Sequence, residues 1–284
     1  MKTESIRAAS SIINRSWLIM QSALPKLAGS IATAPGPMDK LDEMTLEDFF
    51  ELRPNSSLSG DGIGIVYVHQ ALVDTSPPIH EKLGFVTTYA TLSEEINFLE
   101  SEGMKGLLII HDSPGGTVAG CREAAEQISA LDVPVVSYAS GLMCSASYKL
   151  AAGSNQIVAS PSATVGNIGS IISWANLEQF WASMGVKYEA LISEGADLKS
   201  TFHTEPNDEQ RAFRQEGINQ AGEEFRSHVS QGRANAGAEL SDEVFRAGWY
   251  SGEKAVELGL VDWLGSKGDA LEILRGMIDT SKEV

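Results

Sequence analysis

The segment GLMCSASYKLAAG, residues 141–153, gathers Cys144, Ser145, Ser147 and Lys149 within six positions. A serine hydroxyl is a poor nucleophile until a base takes its proton, so any covalent chemistry here turns on what that base is. Histidines stand at 69, 80, 111, 203 and 228, with none between Asp112 and Phe202. Catalytic triads assemble in space, so spacing excludes none, but nothing in this pattern marks one. His111 falls inside an apolar run and is expected to be structural or to sit at a site's rim. His203 and His228 lie in polar surroundings and are expected at the surface.

Lysine is the other base. Lys149, four residues after Ser145, would share its face of a helix. Lys199, in SEGADLKSTFH, is expected on a loop after a strand. A lysine acts near neutral pH only if its pKa falls from about 10.4 towards 7 or 8, which burial can bring about and full exposure cannot. A second element lies twenty-nine residues before Ser145: DSPGG, residues 112–116, at the end of an apolar run. Alone it is an ordinary strand-to-helix turn, in which Pro114 sets φ and Gly115 and Gly116 allow tightness. Next to a serine at the following strand end, its amides could hold an oxyanion.

These residues need a frame to position them. GIGIVYVHQ (62–70), GLLIIHDSPGG (106–116) and VPVVSYAS (133–140) read as buried strands. TTYATLSEEINFLESEG (87–103), TVAGCREAAEQISAL (117–131) and CSASYKLAAG (144–153) read as helices between and after them. NQIVASPSATVGNIGSI (155–171) supplies a short strand and a glycine-rich turn, and KYEALISEGA (187–196) reads as a further strand. A long polar-faced helix is expected over 207–233, and SGEKAVELGLVDWLG (251–265) as a closing helix and turn. Alternating strands and helices imply an α/β domain with parallel pairing. There is no tandem duplication, so the chain carries one copy of the unit.

Residues 1–60, rich in Pro, Gly and Ser at APGPMDK and RPNSSLSGDG, are expected as an N-terminal arm and linker before a domain spanning 61–284. The apolar run SWLIMQSALP, bounded by Arg15 and Lys26, is far shorter than the roughly 20 residues of a membrane helix. It imitates a secretory signal, but Pro25 and Lys26 interrupt it, so no membrane anchor is expected. Over 284 residues the formal net charge is −17, which repels polyanions and points away from nucleic acid. Two cysteines make neither a disulfide framework nor a metal-ligand pair, which suits a reducing compartment. No spacing calls for a metal or an organic cofactor.

Taken together and in order, DSPGGTVAG, ASGLMCSASYKLAAGSNQIVASPSATVGNIGSI, SEGADLKS and WYSGEKAVELGLVDWLG resemble the S49 peptidases, the family of signal peptide peptidase A and phage head maturation proteases. The resemblance covers roughly residues 60–265. It implies the Clp protease and crotonase fold, built of repeated β-β-α units, and a Ser-Lys dyad. The family's nucleophile falls on Ser145, its lysine on Lys199 and its oxyanion amide on Gly116, with Gly115 beside it. Asn167 stands where the family commonly has a serine that orients the lysine, and an amide oxygen can accept an ammonium hydrogen bond. Ser147 and Lys149 occupy places the family gives to a small and an apolar residue, and Cys144 and Ser147 become packing residues.

The resemblance further implies protein or peptide substrates and a ring-like homo-oligomer with sites near subunit interfaces. A single copy without an anchor is most similar to the phage or prophage head protease, which cleaves scaffold, portal or coat proteins in the host cytoplasm or the procapsid. A soluble enzyme of the signal-peptide-peptidase type is the alternative. From other classes, a crotonase-like acyl-CoA enzyme and a non-catalytic scaffold remain open.

Overall fold

The computed structural model describes residues 16–19, 56–76, 80–81, 85–174, 176–187, 189–199 and 205–280, with side chains from residue 56 onward. In chain order, strands β1 (Ser16–Ile19), β2 (Ser56–Leu58), β3 (Ile63–Val73) and β4 (Val86–Thr88) lead into helix α1 (Tyr89–Ser101). Strand β5 (Gly106–Thr117) is followed by helix α2 (Cys121–Ser129), and β6 (Val135–Cys144) by α3 (Ala146–Ala151). Three short strands come next, β7 (Gln156–Ala159), β8 (Thr164–Gly166) and β9 (Ile171–Ile172). Helices α4 (Glu178–Ser183) and α5 (Asp208–Asn235) precede β10 (Trp249–Ser251), α6 (Gly252–Glu257), β11 (Trp263–Leu264) and α7 (Lys267–Thr280).

β5 shows why the sheet is buried on both faces. Leu107 and Ile109 point into the larger core with Val66, Val68, Leu92 and Ile96, whereas Leu108 and Ile110 point to the other face. There Leu274 and Ile278 of α7 cover them. An uninterrupted apolar run is what a strand covered on both faces requires. β4, β3, β5, β6 and β7 run parallel in that order, with connecting helices α1, α2 and α3. The helices are set by local signals. Thr88 accepts from Thr91 N to cap α1, and Asn207 with Gln210 forms a capping box at α5. This is the α/β architecture with parallel pairing that the alternation of strands and helices implies.

Three expectations change. DSPGG is not a turn: β5 runs through it to Thr117, with a register shift between His111 and Ser113. Paired strands on both sides override the local tendency of Pro and Gly to end a strand. KYEALISEGA forms no strand at its described positions; all of those residues but the half-buried Ala196 are exposed, and no strand pairs with them. Of the expected arm over residues 1–60, the described parts are β1, paired with β5 and β9, and β2, paired with β3. The remaining positions up to residue 55 lie outside the described residues.

Candidate active site

β6 carries the chain out of the sheet core and ends at Cys144. Ser145 follows at φ 56°, ψ −120°, a backbone conformation that costs a non-glycine residue about 1–3 kcal/mol. Two main-chain bonds hold it there. Its N–H donates to the Gly166 carbonyl of β8 at 2.7 Å, and its carbonyl accepts from Lys149 N at 2.9 Å, closing the first turn of α3. The side chain is wholly buried, and its Oγ has no hydrogen-bond partner among the described residues. A buried hydroxyl left unpaired costs a further 1–3 kcal/mol or so. Strain and an unmet hydroxyl on one residue are what a positioned nucleophile looks like before it meets a substrate.

The neighbouring nucleophile can be set aside. Burial pushes the Cys144 thiol up to about 12, and its Sγ lies against the Thr164 carbonyl at 3.4 Å, so it stays protonated at neutral pH. Ser147 Oγ bonds His111 Nδ1 at 2.9 Å, the other ring nitrogen bonds Ser137 Oγ at 3.1 Å, and Ser137 Oγ bonds Ser154 Oγ at 2.7 Å. Burial drives the His111 pKa down to about 3, leaving it a neutral strut between strands and helix. Both Cys144 and Ser147 are packing residues, as expected.

β5 and β6 pair as far as Ser113 with Met143. Gly115 and Ser145 each follow that last pair by two residues on their own strands, and beyond it Gly115 and Gly116 pair with β3 and β1. Gly116 has no alternative: a Cβ there would fall 1.8 Å from the Leu72 carbonyl of β3. Gly115 holds φ 102°, and its N–H already donates to Ser113 Oγ at 3.2 Å. Ser113 Oγ in turn donates to the Gln70 carbonyl at 2.5 Å.

The lysines separate sharply. Lys149 is not a solvated surface residue: it is buried, its Nζ is paired with Glu224 of α5, and the ring of Phe225 lies 5.9 Å away. Helix α5 clamps this region further. His228 Nε2 donates to the Lys149 carbonyl at 3.1 Å, and Gly232 passes so close that a Cβ would meet the Ala152 carbonyl at 2.0 Å. His228 is therefore a half-buried tether rather than a surface residue, and His203 lies outside the described residues. Glu224 was not singled out in the sequence; its signal is an acidic position flanking the apolar stripe that carries Phe225 and Val229.

Lys199 lies at the far end of an exposed segment. Its N–H donates to the Ala196 carbonyl at 2.9 Å, and Gln210 Nε2 donates to the carbonyls of Asp197 and Lys199 at 2.8 and 3.2 Å. Since Ser145 Oγ has no hydrogen-bond partner, neither lysine is joined to it within the single chain. Asn167, at φ 58°, donates through its main chain to the Gly248 carbonyl at 2.6 Å and through Nδ2 to the Ala247 carbonyl at 2.9 Å. It thus sits one residue beyond Gly166, the anchor of Ser145. Among the described residues no group of three or more His, Cys, Asp or Glu side chains is arranged to hold a metal ion, and no helix is long and apolar enough to cross a membrane.

Residues 128–279, more than half of the chain, match Peptidase family S49. The chain belongs to that family. Among curated S49-like relatives, a putative signal peptide peptidase SppA of Enterococcus faecium is 35% identical over 62% of this chain and 52% of its own length. Capsid assembly protease C of Escherichia phage lambda is 27% identical over 78% of this chain and 51% of its own. The chain thus spans about half the length of these two relatives. Among solved structures, a ClpP1 mutant from Listeria monocytogenes superposes with a TM-score of 0.47 at 13% identity, covering 73% of this chain and 94% of that one.

Proposed function

We propose that this S49 chain is a serine endopeptidase in which Ser145 is the nucleophile, Lys199 the base and the Gly116 amide an oxyanion donor. The observation that carries this is Ser145 itself: a strained, buried serine with an unpartnered Oγ, two residues past the last pair of β6 with β5. Oγ would bond to the substrate carbonyl carbon while neutral Lys199 takes its proton. Collapse of the intermediate breaks the C–N bond, and the lysine returns the proton to the leaving amine. Water then hydrolyses the ester by the same route. Asn167 would orient the lysine through its side-chain oxygen.

Lys199 comes from a second copy of the chain in this reading. The segment that carries it exposes Phe180, Met184, Leu191 and Ile192, with Leu191 at 105% of its reference area. Apolar side chains in such a run call for a covering partner. A ring of like subunits would cover them and bring each lysine to a neighbour's serine. Lys149, held by Glu224, keeps its place as a support beneath the serine.

The substrates would be scaffold, portal or coat proteins of an assembling phage head, in the host cytoplasm or procapsid. The alignment with the lambda capsid protease over 78% of the chain supports this. A second reading, a signal-peptide-peptidase-like enzyme that degrades peptides, is favoured by the higher identity to the Enterococcus protein. Co-expression with capsid and scaffold proteins separates them. Cleavage of those partners but not of generic peptides supports the first reading, and rapid cleavage of short peptides alone supports the second. A serine-reactive phosphonate should label Ser145 in either case, whereas an acyl-CoA enzyme or a scaffold would stay unlabelled.

A further inference from the structure

Beyond Ser113 and Met143 the two central strands part. β6, paired with β8 on its other edge through Leu142–Thr164, Met143–Val165 and Cys144–Gly166, ends there, so the last residues of β5 have no partner from β6 on that edge. That edge is residues 115–117, including Gly116. It does not stay open: β1 lies against it antiparallel, with Trp17, Leu18 and Ile19 opposite Thr117, Gly116 and Gly115. On its other side β1 pairs antiparallel with β9, Ser16 opposite Ile172 and Trp17 opposite Ile171. A four-residue stretch from the N-terminal region therefore fills a slot between two strand edges, and one of those edges bears the glycine assigned to the oxyanion.

A slot of this kind takes an extended chain whatever its sequence, because main-chain hydrogen bonds supply the binding. Ser16–Ile19, SWLI, is uncharged and apolar in sequence, which matches an apolar peptide as the preferred occupant. In the same arrangement Ser145 is wholly buried. Outside the catalytic assignments, nothing in the chemistry of Ser145 requires β1. Its sequence, SWLI, holds no charged or acidic residue.

The geometry points to β1 as a resident pseudo-substrate: the slot between residues 115–117 and 171–172 binds extended apolar peptides by strand addition, and the chain's own Ser16–Ile19 holds it closed. The consequence for activity rests on the peptidase reading above, but occupancy of the slot does not. An incoming substrate must displace β1, and the apparent affinity for peptide falls by the fraction of molecules in which the slot is free. Removal or displacement of the segment is then the step that switches the enzyme on.

The test uses the full chain and two readouts that need no catalysis. Hydrogen exchange on the unaltered protein should show the amide of residue 171 or 172 that faces β1, the one strand paired with β9 among the described residues, protected as paired strand. Exchange at the rate of a free edge overturns the proposal without any variant. Leu18→Pro removes a backbone donor from β1, and proline is not accommodated inside a strand paired on both sides. In Leu18→Pro the β9 amide should lose protection while residues 107–110 of β5 keep theirs, which verifies that the sheet is intact; the Gly115 N–H, held by Ser113 Oγ, is no readout.

For binding, a fluorescein-labelled peptide, NRSWLIMQSA, is titrated into Ser145→Ala and into Ser145→Ala with Leu18→Pro. The double variant should bind at least about tenfold more tightly, the expectation for a segment that holds the slot about nine-tenths of the time. Equal affinities in the two proteins overturn the proposal. Phosphonate labelling of Leu18→Pro then judges the other reading separately: tight peptide binding with Ser145 unlabelled would retain the pseudo-substrate and reject the peptidase.

Discussion

Ser145 and Lys199 lie in regions built on opposite terms. Around Ser145 the chain is over-determined: β5 and β6 in register, the Gly166 carbonyl on its amide, α3 beneath it and α5 clamped over α3. Around Lys199 the described residues are nearly all exposed, and the segment is held to the body by Gln210 at its far end. The first region can bear strain because its neighbours leave the backbone no alternative. The second is the kind of segment that takes its final arrangement from what covers it. In the proposed dyad the nucleophile is fixed by folding and the base is delivered by assembly.

The largest effect should come from the fixed half. Ser145→Ala should lower peptide hydrolysis on the order of 10⁴-fold or more and abolish phosphonate labelling. Its melting temperature should be unchanged or higher, since the change deletes an unpartnered buried hydroxyl and breaks no hydrogen bond. A drop of several degrees would show that Ser145 is structural. Lys199→Ala should lose activity to a similar extent, again without loss of stability because the side chain is exposed. Mixing the two inactive proteins under conditions that exchange subunits should restore a fraction of the activity. Full loss in the mixture would place both groups of each site in one chain and remove the contrast drawn above.

Next come variants that sharpen the distinction between the two lysines. Lys149→Met keeps the volume and removes both the charge and the need for its partner, so activity should persist and stability should change little. Glu224→Ala leaves the Lys149 ammonium buried without its carboxylate. That should cost about 3 kcal/mol, read by urea unfolding, with turnover per folded molecule preserved. If Lys149→Met instead loses turnover across the whole pH range, Lys149 is the base and Lys199 is a surface residue.

How far the sequence discloses this arrangement depends on the distance over which each feature is decided. The strands and helices around Ser145 follow from periodicity and from capping residues a few positions away, and the S49 motifs mark the serine. Local signals mislead where partners are remote. SPGG reads as a turn because Pro and Gly commonly end strands, yet β3 and β1 hold it as strand. KYEALISEGA has strand-like composition but meets no strand. Lys149 reads as a candidate base on the helical face of Ser145 because its counter-charge, Glu224, is 75 residues away in sequence. Gly116 was singled out for chemistry, but the Leu72 carbonyl at 1.8 Å from a Cβ position is a steric requirement that only the folded sheet reveals.

The smallest predicted effect separates stability from catalysis within the serine's own region. His111 is buried between Ser137 and Ser147, and burial lowers its pKa from 6.5 to about 3. Between those two values the unfolded chain takes up a proton that the folded chain refuses. Unfolding therefore becomes easier as the pH falls through this window, by up to about 1.4 kcal/mol per pH unit, while above 6.5 the histidine contributes no pH dependence. His228, whose pKa burial also lowers, acts in the same direction, so the parent protein alone does not isolate the effect. His111→Gln keeps hydrogen-bonding groups and cannot titrate. Its stability, measured by urea unfolding between pH 4 and 7, should decline less steeply than the parent's, whatever its absolute value. Parallel declines would mean that His111 is protonated in the fold and that the strut beneath Ser145 carries a charge.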